Sequence, residues 1–200
     1  MINHSFHSDL AEATVVRSAG ANRTGAGTPR QAKGMWFEQH ENDMISELTK
    51  SMERVTGMHS KAAEKWNLLV YNEHGHYAPH YDYILPEYRN NDGWFAKMGN
   101  RIATLLILLK KAERGGSTVF PLLGVSVRPN AGDALFWFNM RANGQLDEMS
   151  LHAACPIVLG QKVAATMWIR QLGQELVSPC SLDEQRQELR LPAMFDWITA

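Results

Sequence analysis

The chain has almost no excess charge, few cysteines and no long apolar run, and each shortage narrows what it can be. Among 200 residues, Lys and Arg number 20 and Asp and Glu 21, a formal net charge of −1. That balance gives no broad positive field for nucleic acid. No apolar stretch approaches the roughly 20 residues needed to span a bilayer. The strongest, RIATLLILLK, is too short, carries Thr104 and reads as a buried strand. There is no internal repeat or heptad run, and the start, MINHSFHSDL, lacks the positive leader and apolar core of a signal sequence. Cys155 and Cys180 are the only cysteines. What remains fits one soluble domain over residues 1–200, since a β-barrel or sandwich of this length need not be divided.

Along the chain, AGANRTGAGT at residues 19–28 is rich in small and turn-forming residues and predicts a flexible loop. Asn42 is placed to cap a helix whose Ile45, Leu48, Met52 and Val55 form an apolar stripe for packing on a sheet, and Gly57 suits its end. Ser60 starts a short second helix before the strand WNLLVYN. Residues 85–100, LPEYRNNDGWFAKMGN, predict a polar loop able to close over a substrate. Gly115, Gly116 and PNAGD at 129–133 fit turns between strands that include GVSVRP and ALFWF. Ser181 and Glu184 form a capping box for DEQRQELR. The expected fold is mainly β with flanking helices, an α+β chain around a double-stranded β-helix, or jelly roll. Residues 1–11 are expected to be disordered and residues 181–200 to form a C-terminal extension.

The densest chemistry lies in YAPHYDY, residues 77–83. If residues 80–82 are a strand, alternation sends His80 and Asp82 to one face and Tyr81 to the other, so the pair can chelate one ion. His152 in LHAAC is a third candidate ligand, and two imidazoles with one carboxylate match the facial arrangement of non-haem Fe(II) oxygenases. Lys162 opens KVAATMWIR, in which Lys162, Ala164, Thr166 and Trp168 share a face and a cation is available for a carboxylate. The spacing alone also permits a surface or structural HxD. Tyr77, Trp137 and Trp168 are candidate pocket or peptide-binding aromatics, with core packing the default for Trp137. His74 and His76 fit an exposed turn beside Gly75, and His4, His7, His40 and His59 have no partner pattern.

From about Glu12 to Pro179 the chain resembles the catalytic domain of the collagen prolyl 4-hydroxylase alpha subunit, among the Fe(II)- and 2-oxoglutarate-dependent dioxygenases. The resemblance is carried by YAPHYDY, GNRIATLLILL, GGSTVFP, GDALFWFN, HAACP and GQELVSPC in that order. It implies that His80, Asp82 and His152 hold iron, that Lys162 pairs with the distal carboxylate of 2-oxoglutarate, and that Tyr71 and Thr104 help hold that cosubstrate. These matches argue against a zinc hydrolase using the same ligands. The implied reaction hydroxylates peptidyl proline to 4-hydroxyproline in collagen-like or proline-rich chains, releases succinate and CO2, and uses ascorbate to maintain Fe(II). Tyr77, beside the metal motif, is expected to contact substrate or cosubstrate.

One departure stands out. Arg170 occupies the position of a histidine thought to assist cosubstrate binding and decarboxylation in the collagen enzymes. Arginine can donate hydrogen bonds to a carboxylate but cannot exchange a proton near neutral pH. An oxygenase with another substrate, or a weakened peptide-binding module, therefore stays open. Both cysteines match a pair bonded in the collagen enzymes, and an oxidising compartment would follow. With Asn3-His4-Ser5 and Asn22-Arg23-Thr24 as glycosylation acceptors, the expectation is a fragment of a secretory protein in the endoplasmic reticulum lumen. Protein disulfide isomerase is the partner the resemblance suggests.

Overall fold

The structure, a computed structural model, describes residues 10–13 and 30–174. The expected loop at 19–28, the two expected glycosylation acceptors, Cys180 and the bridge expected between it and Cys155, the expected Ser181 capping box and residues 181–200 lie outside the described residues, as does nearly all of 1–11.

Besides four short 3-10 turns, the regular structure of the described residues consists of thirteen strands and two α-helices. In order they are β1 (Ala11–Glu12), β2 (Arg30–Gln31), β3 (Lys33–Phe37), α1 (Asp43–Thr56), β4 (Trp66–Tyr71), β5 (His76–His80), α2 (Phe95–Met98), β6 (Arg101–Lys110), β7 (Arg114–Gly115), β8 (Thr118–Phe120), β9 (Val125–Val127), β10 (Ala134–Phe138), β11 (His152–Ala154), β12 (Ile157–Leu159) and β13 (Lys162–Arg170). Two main sheets result, a six-stranded one ordered β1-β3-β4-β13-β6-β10 and a five-stranded one ordered β2-β5-β11-β8-β9. This is the jelly-roll core with few helices that the sequence predicts.

β13 shows why the layers form. All nine of its residues are buried, as expected for a central strand covered on both faces. Ala165, Met167 and Ile169 join Met52, Trp66, Ile102 and Leu105 in the main core. Met167 and Ile169 are fully buried, each stabilising the fold by roughly 1.5–3 kcal/mol. The alternate residues Lys162, Ala164, Thr166 and Trp168 face the cavity between the sheets. One strand thus serves the core with one face and the chemistry with the other.

α1 closes the core side. Asn42 accepts a hydrogen bond from the Ile45 amide at 3.0 Å, and Gly57 ends the helix at φ 70°, a conformation favouring glycine. The predicted stripe is corrected at one position: Met52 is 2% exposed but Val55 is 66% exposed. At about 100° per residue Val55 falls roughly 80° from the Ile45 line, while Thr49 and Thr56 fall within about 40° of it. The two threonines are buried along with Met52, and each returns its hydroxyl to the helix, Thr49 to the Ile45 carbonyl at 2.9 Å and Thr56 to that of Met52 at 2.8 Å. Thr49 also accepts the indole N–H of buried Trp66 at 3.0 Å. The expected second helix is a single 3-10 turn, Ser60–Ala62.

Candidate active site

β5 and β11 bring the two histidines together. The strands are antiparallel with His152 opposite His80 and Ala154 opposite Tyr77. Three steps along β5 thus face two along β11, so a bulge forms at Ala78 and Pro79, where proline has no N–H to lose from the ladder. The bulge turns Tyr77 onto the side of His80, and the rings stack with centroids 3.5 Å apart at 19°. Strand alternation alone would have separated them.

The predicted strand over residues 80–82 is corrected: β5 ends at His80, and Asp82 lies in a bend beyond it. Hydrogen bonds, rather than strand alternation, hold its carboxylate. Thr104 donates its hydroxyl to Asp82 Oδ2 at 2.8 Å, and Asn139 donates to Thr104 at 2.8 Å. The result is the expected cluster: His80, Asp82 and His152 are all buried, with one ligand atom from each lying within 4.8 Å of the others. Asp82 Oδ1 is 3.6 Å from His80 Nε2, and Oδ2 is 3.5 Å from His152 Nε2.

The donor set suits a divalent ion. His80 Nδ1 donates to the Ala78 carbonyl at 2.8 Å and His152 Nδ1 to the Ser150 carbonyl at 2.9 Å, leaving both Nε2 lone pairs aimed at the cluster. Burial, then the neighbouring His152, pushes His80 down to about 3, so its ring is the neutral ligand form at physiological pH. Burial works against ionising Asp82, yet His152, His80 and Arg101 together hold its carboxyl below its ordinary value.

Next to the cluster a small cavity of about 40 Å³ is lined by Tyr71, Thr118, Trp137, Lys162 and Thr166, among others. Lys162 Nζ donates to the Gly116 carbonyl at 2.9 Å and to the Thr118 hydroxyl at 3.3 Å, and burial lowers it to about 8. Burial likewise pushes the Tyr71 phenol up, keeping it a neutral donor. Trp137 Nε1 and Thr166 Oγ1 are buried with no hydrogen-bond partner, and so are Nε and Nη2 of Arg30. Orphaned buried polar atoms cost about 1–3 kcal/mol each, so a small, oxygen-rich anion fits this cavity well.

Of the residues expected to hold cosubstrate, Lys162 and Tyr71 line the cavity, while Thr104 reaches the site through Asp82. Arg170 does not line it; its guanidinium is taken up by Glu64, Asp92 and the Gly99 carbonyl. Trp137 packs edge-on against His152 at 4.8 Å, so it belongs to the site as well as to the packing. His74 is exposed in a turn, as predicted, whereas His76, expected in the same turn, opens β5 and is half-buried. Arg30, Thr118 and Asn139 were not anticipated. Arg30 arrives through the β2–β5 pairing, opposite Tyr77, with its guanidinium 4.8 Å from that ring. Its one sequence signal is a position in an extended segment fifty residues before His80.

A larger cleft of about 870 Å³ lies outside the cavity, and Arg30, Tyr77, Asp82 and Trp168 line both. Trp36, Tyr81 and Trp94 also line it, as do Asn91, Asp92 and Gly93 from the segment after the metal motif.

A jelly roll in which two histidines and an aspartate converge their ligand atoms beside a buried lysine is the architecture of an Fe(II)-dependent oxygenase, and the chain belongs to the 2OG-Fe(II) oxygenase superfamily, whose family model matches residues 66–170. It is 38% identical over 179 residues to prolyl 4-hydroxylase subunit alpha-2 of Caenorhabditis elegans, covering 90% of this chain and 33% of that protein. It is 36% identical over 157 residues to the human alpha-1 subunit, covering 78% of this chain and 29% of that protein. The chain thus spans about a third of the length of these curated relatives. Among solved structures it resembles a viral collagen prolyl hydroxylase from Paramecium Bursaria Chlorella virus-1 in complex with 2OG, with a TM-score of 0.61 and 26% identity over 72% of this chain and 81% of that one. A Pseudomonas putida prolyl-4-hydroxylase shares the fold, with a TM-score of 0.54 and 16% identity over 84% of this chain and 80% of that one.

Proposed function

We propose that the chain hydroxylates peptidyl proline to 4-hydroxyproline in proline-rich or collagen-like chains, consuming O2 and 2-oxoglutarate and releasing succinate and CO2. The observation that carries this reading is a metal triad and a buried lysine around one cavity, which shares a wall with an aromatic cleft large enough for an extended peptide.

His80, Asp82 and His152 would hold Fe(II), and Lys162 would pair with the distal carboxylate of 2-oxoglutarate, with Tyr71 and Thr118 beside it. Bound together, Fe(II) and 2-oxoglutarate would activate O2, the oxidant: one oxygen atom would leave in succinate as 2-oxoglutarate gives up two electrons and CO2, and the other would enter a substrate C–H bond. The protein supplies position and a dry site. The Nδ1 protons of both histidines stay on backbone carbonyls, fixing which nitrogen faces the metal. Thr104 fixes the rotation of the Asp82 carboxylate. Trp36, Tyr81 and Trp94 offer aromatic surface to a polyproline II chain, which reaches the cleft already ordered. Tyr77, stacked on His80 where the two spaces meet, is placed to touch substrate or cosubstrate. Ascorbate as reductant, the endoplasmic reticulum lumen as compartment and protein disulfide isomerase as partner belong to the same proposal and rest on resemblance alone.

The test is mass spectrometry of a Pro-Pro-Gly repeat peptide incubated with Fe(II)-loaded protein, oxygen, 2-oxoglutarate and ascorbate, beside a His152→Ala control. One oxygen gained on proline by wild type alone, with succinate released, is the expected result. Succinate without peptide oxidation would point to another substrate, and neither product would point to a peptide-binding module.

A further inference from the structure

Glu64, Asp92, Arg101 and Arg170 all line the larger cleft, and they form one connected set. Arg170 is 1% exposed, and its guanidinium is held by hydrogen bonds from Nε and Nη1 and by ion-pair contacts at Nη2, where the Asp92 contact is ionic and lacks hydrogen-bond geometry. Nε donates to Glu64 Oε1 at 2.7 Å and Nη1 to the Gly99 carbonyl at 2.9 Å, while Nη2 lies 2.6 Å from Glu64 Oε1 and 2.9 Å from Asp92 Oδ2. The same Glu64 takes both Nε and Nη2 of Arg101, at 2.6 and 2.8 Å. Arg101 in turn lies over the Trp168 ring at 4.1 Å and places Nη1 3.4 Å from the Asp82 carbonyl.

The segment that receives Asp92 has little else to hold it. Residues 85–98 contain a 3-10 turn, Pro86–Asn91, and the short α2, with no buried residue in either. Trp94 on this segment is half exposed, and the Asp92 carboxylate is almost fully covered. A nearly surface segment is therefore tied to the central strand by one buried charge at Asp92, besides the hydrogen bond from the Leu172 amide to the Met98 carbonyl at 3.0 Å at its far end. Arginine suits the task because its fork serves Glu64, Asp92 and a carbonyl together, whereas an imidazole has two nitrogens and an ammonium is a point charge.

We infer that Arg170 is a positioning residue for the peptide: by clamping Asp92 and sharing Glu64 with Arg101, it sets the 85–98 wall of the cleft and governs peptide binding without touching the cosubstrate. This rests on the reading that a peptide occupies the cleft. It also gives Arg170 a role different from that of the histidine in the collagen enzymes.

The experiment compares wild type with Asp92→Asn, which leaves Arg170 paired with Glu64, and with Arg170→Lys and Arg170→His. Three quantities are read on Fe(II)-loaded protein: KM for a Pro-Pro-Gly repeat peptide, the dissociation constant for 2-oxoglutarate, and amide hydrogen exchange of residues 85–98. Asp92→Asn should raise the peptide KM about tenfold, leave 2-oxoglutarate affinity within about twofold, and speed exchange in 85–98 while β4 and β13 stay protected. Both Arg170 variants should follow in the same direction, with Lys milder than His. Loss of 2-oxoglutarate affinity in step with peptide affinity would overturn the inference, as would unchanged exchange in 85–98. If wild type oxidised no proline peptide, the functional reading would fail separately, and the exchange data alone would decide the clamp.

Discussion

The inner cavity and the outer cleft share Arg30, Tyr77, Asp82 and Trp168 as a common wall, but they are held in place by different forces. The cavity is built on strands. His80, His152 and Lys162 sit at strand ends locked by backbone ladders, and Asp82 is tied to β6 through Thr104. The cleft takes one wall from residues 85–98, which contribute no ladder, and that wall is fixed to β13 by the Asp92–Arg170 ion pair. Rigid elements position reacting groups to within a fraction of an ångström, whereas a segment held by few contacts opens at low free-energy cost. The metal ligands thus sit on the part of the molecule held by strand ladders, and the cleft proposed for the peptide takes one wall from the part held by few contacts.

The comparison is tested most severely at the metal ligands. His152→Ala should reduce succinate formation to less than about one-thousandth of wild type while leaving unfolding cooperative, as checked by a turnover assay and a urea titration. Replacing Lys162 with Ala should weaken 2-oxoglutarate binding about a hundredfold and Fe(II) binding hardly at all, by anaerobic calorimetry; equal losses would remove its assigned role. Thr104→Val should lower Fe(II) affinity about tenfold, since it frees the Asp82 carboxylate to rotate. The pH response is gentler. Burial brings Lys162 to about 8, and the carboxylate needs its cationic form, which is present below that value and lost above it. Affinity for 2-oxoglutarate should be flat near neutrality and fall by up to about tenfold per pH unit above 8, a dependence that Lys162→Ala should abolish. Smallest of all, Asn42→Ala should cost about 1 kcal/mol of stability in urea and change neither metal nor cosubstrate binding, because α1 packs on the face of the sheet away from the site.

Much of the cavity was legible in the sequence because its residues fall in short patterns with fixed periods. Lys162, Ala164, Thr166 and Trp168 share a face as period-two alternation requires, and Asn42 and Gly57 bound α1 by local chemistry alone. Asp82 reached its predicted place by a different route, since β5 stops at His80 and the Thr104 hydroxyl supplies the constraint assigned to a strand. Val55 was misjudged because four apolar residues at helical spacing do not reveal that Thr49 and Thr56 lie nearer the centre of the buried face. The cleft was scarcely readable. Arg30 is brought to Tyr77 by a two-residue strand, and Glu64, Asp92, Arg101 and Arg170 are dispersed over a hundred residues with no pattern to join them. Their association exists only once the sheets have closed.

The most direct test of the account is anaerobic titration of Fe(II) into wild type and His152→Ala, followed by 2-oxoglutarate. The account predicts one Fe(II) per wild-type chain, 2-oxoglutarate binding that requires the metal for full affinity, and loss of both in the variant. Undiminished Fe(II) binding by His152→Ala would contradict it, since the metal would then have to lie elsewhere than between His80, Asp82 and His152.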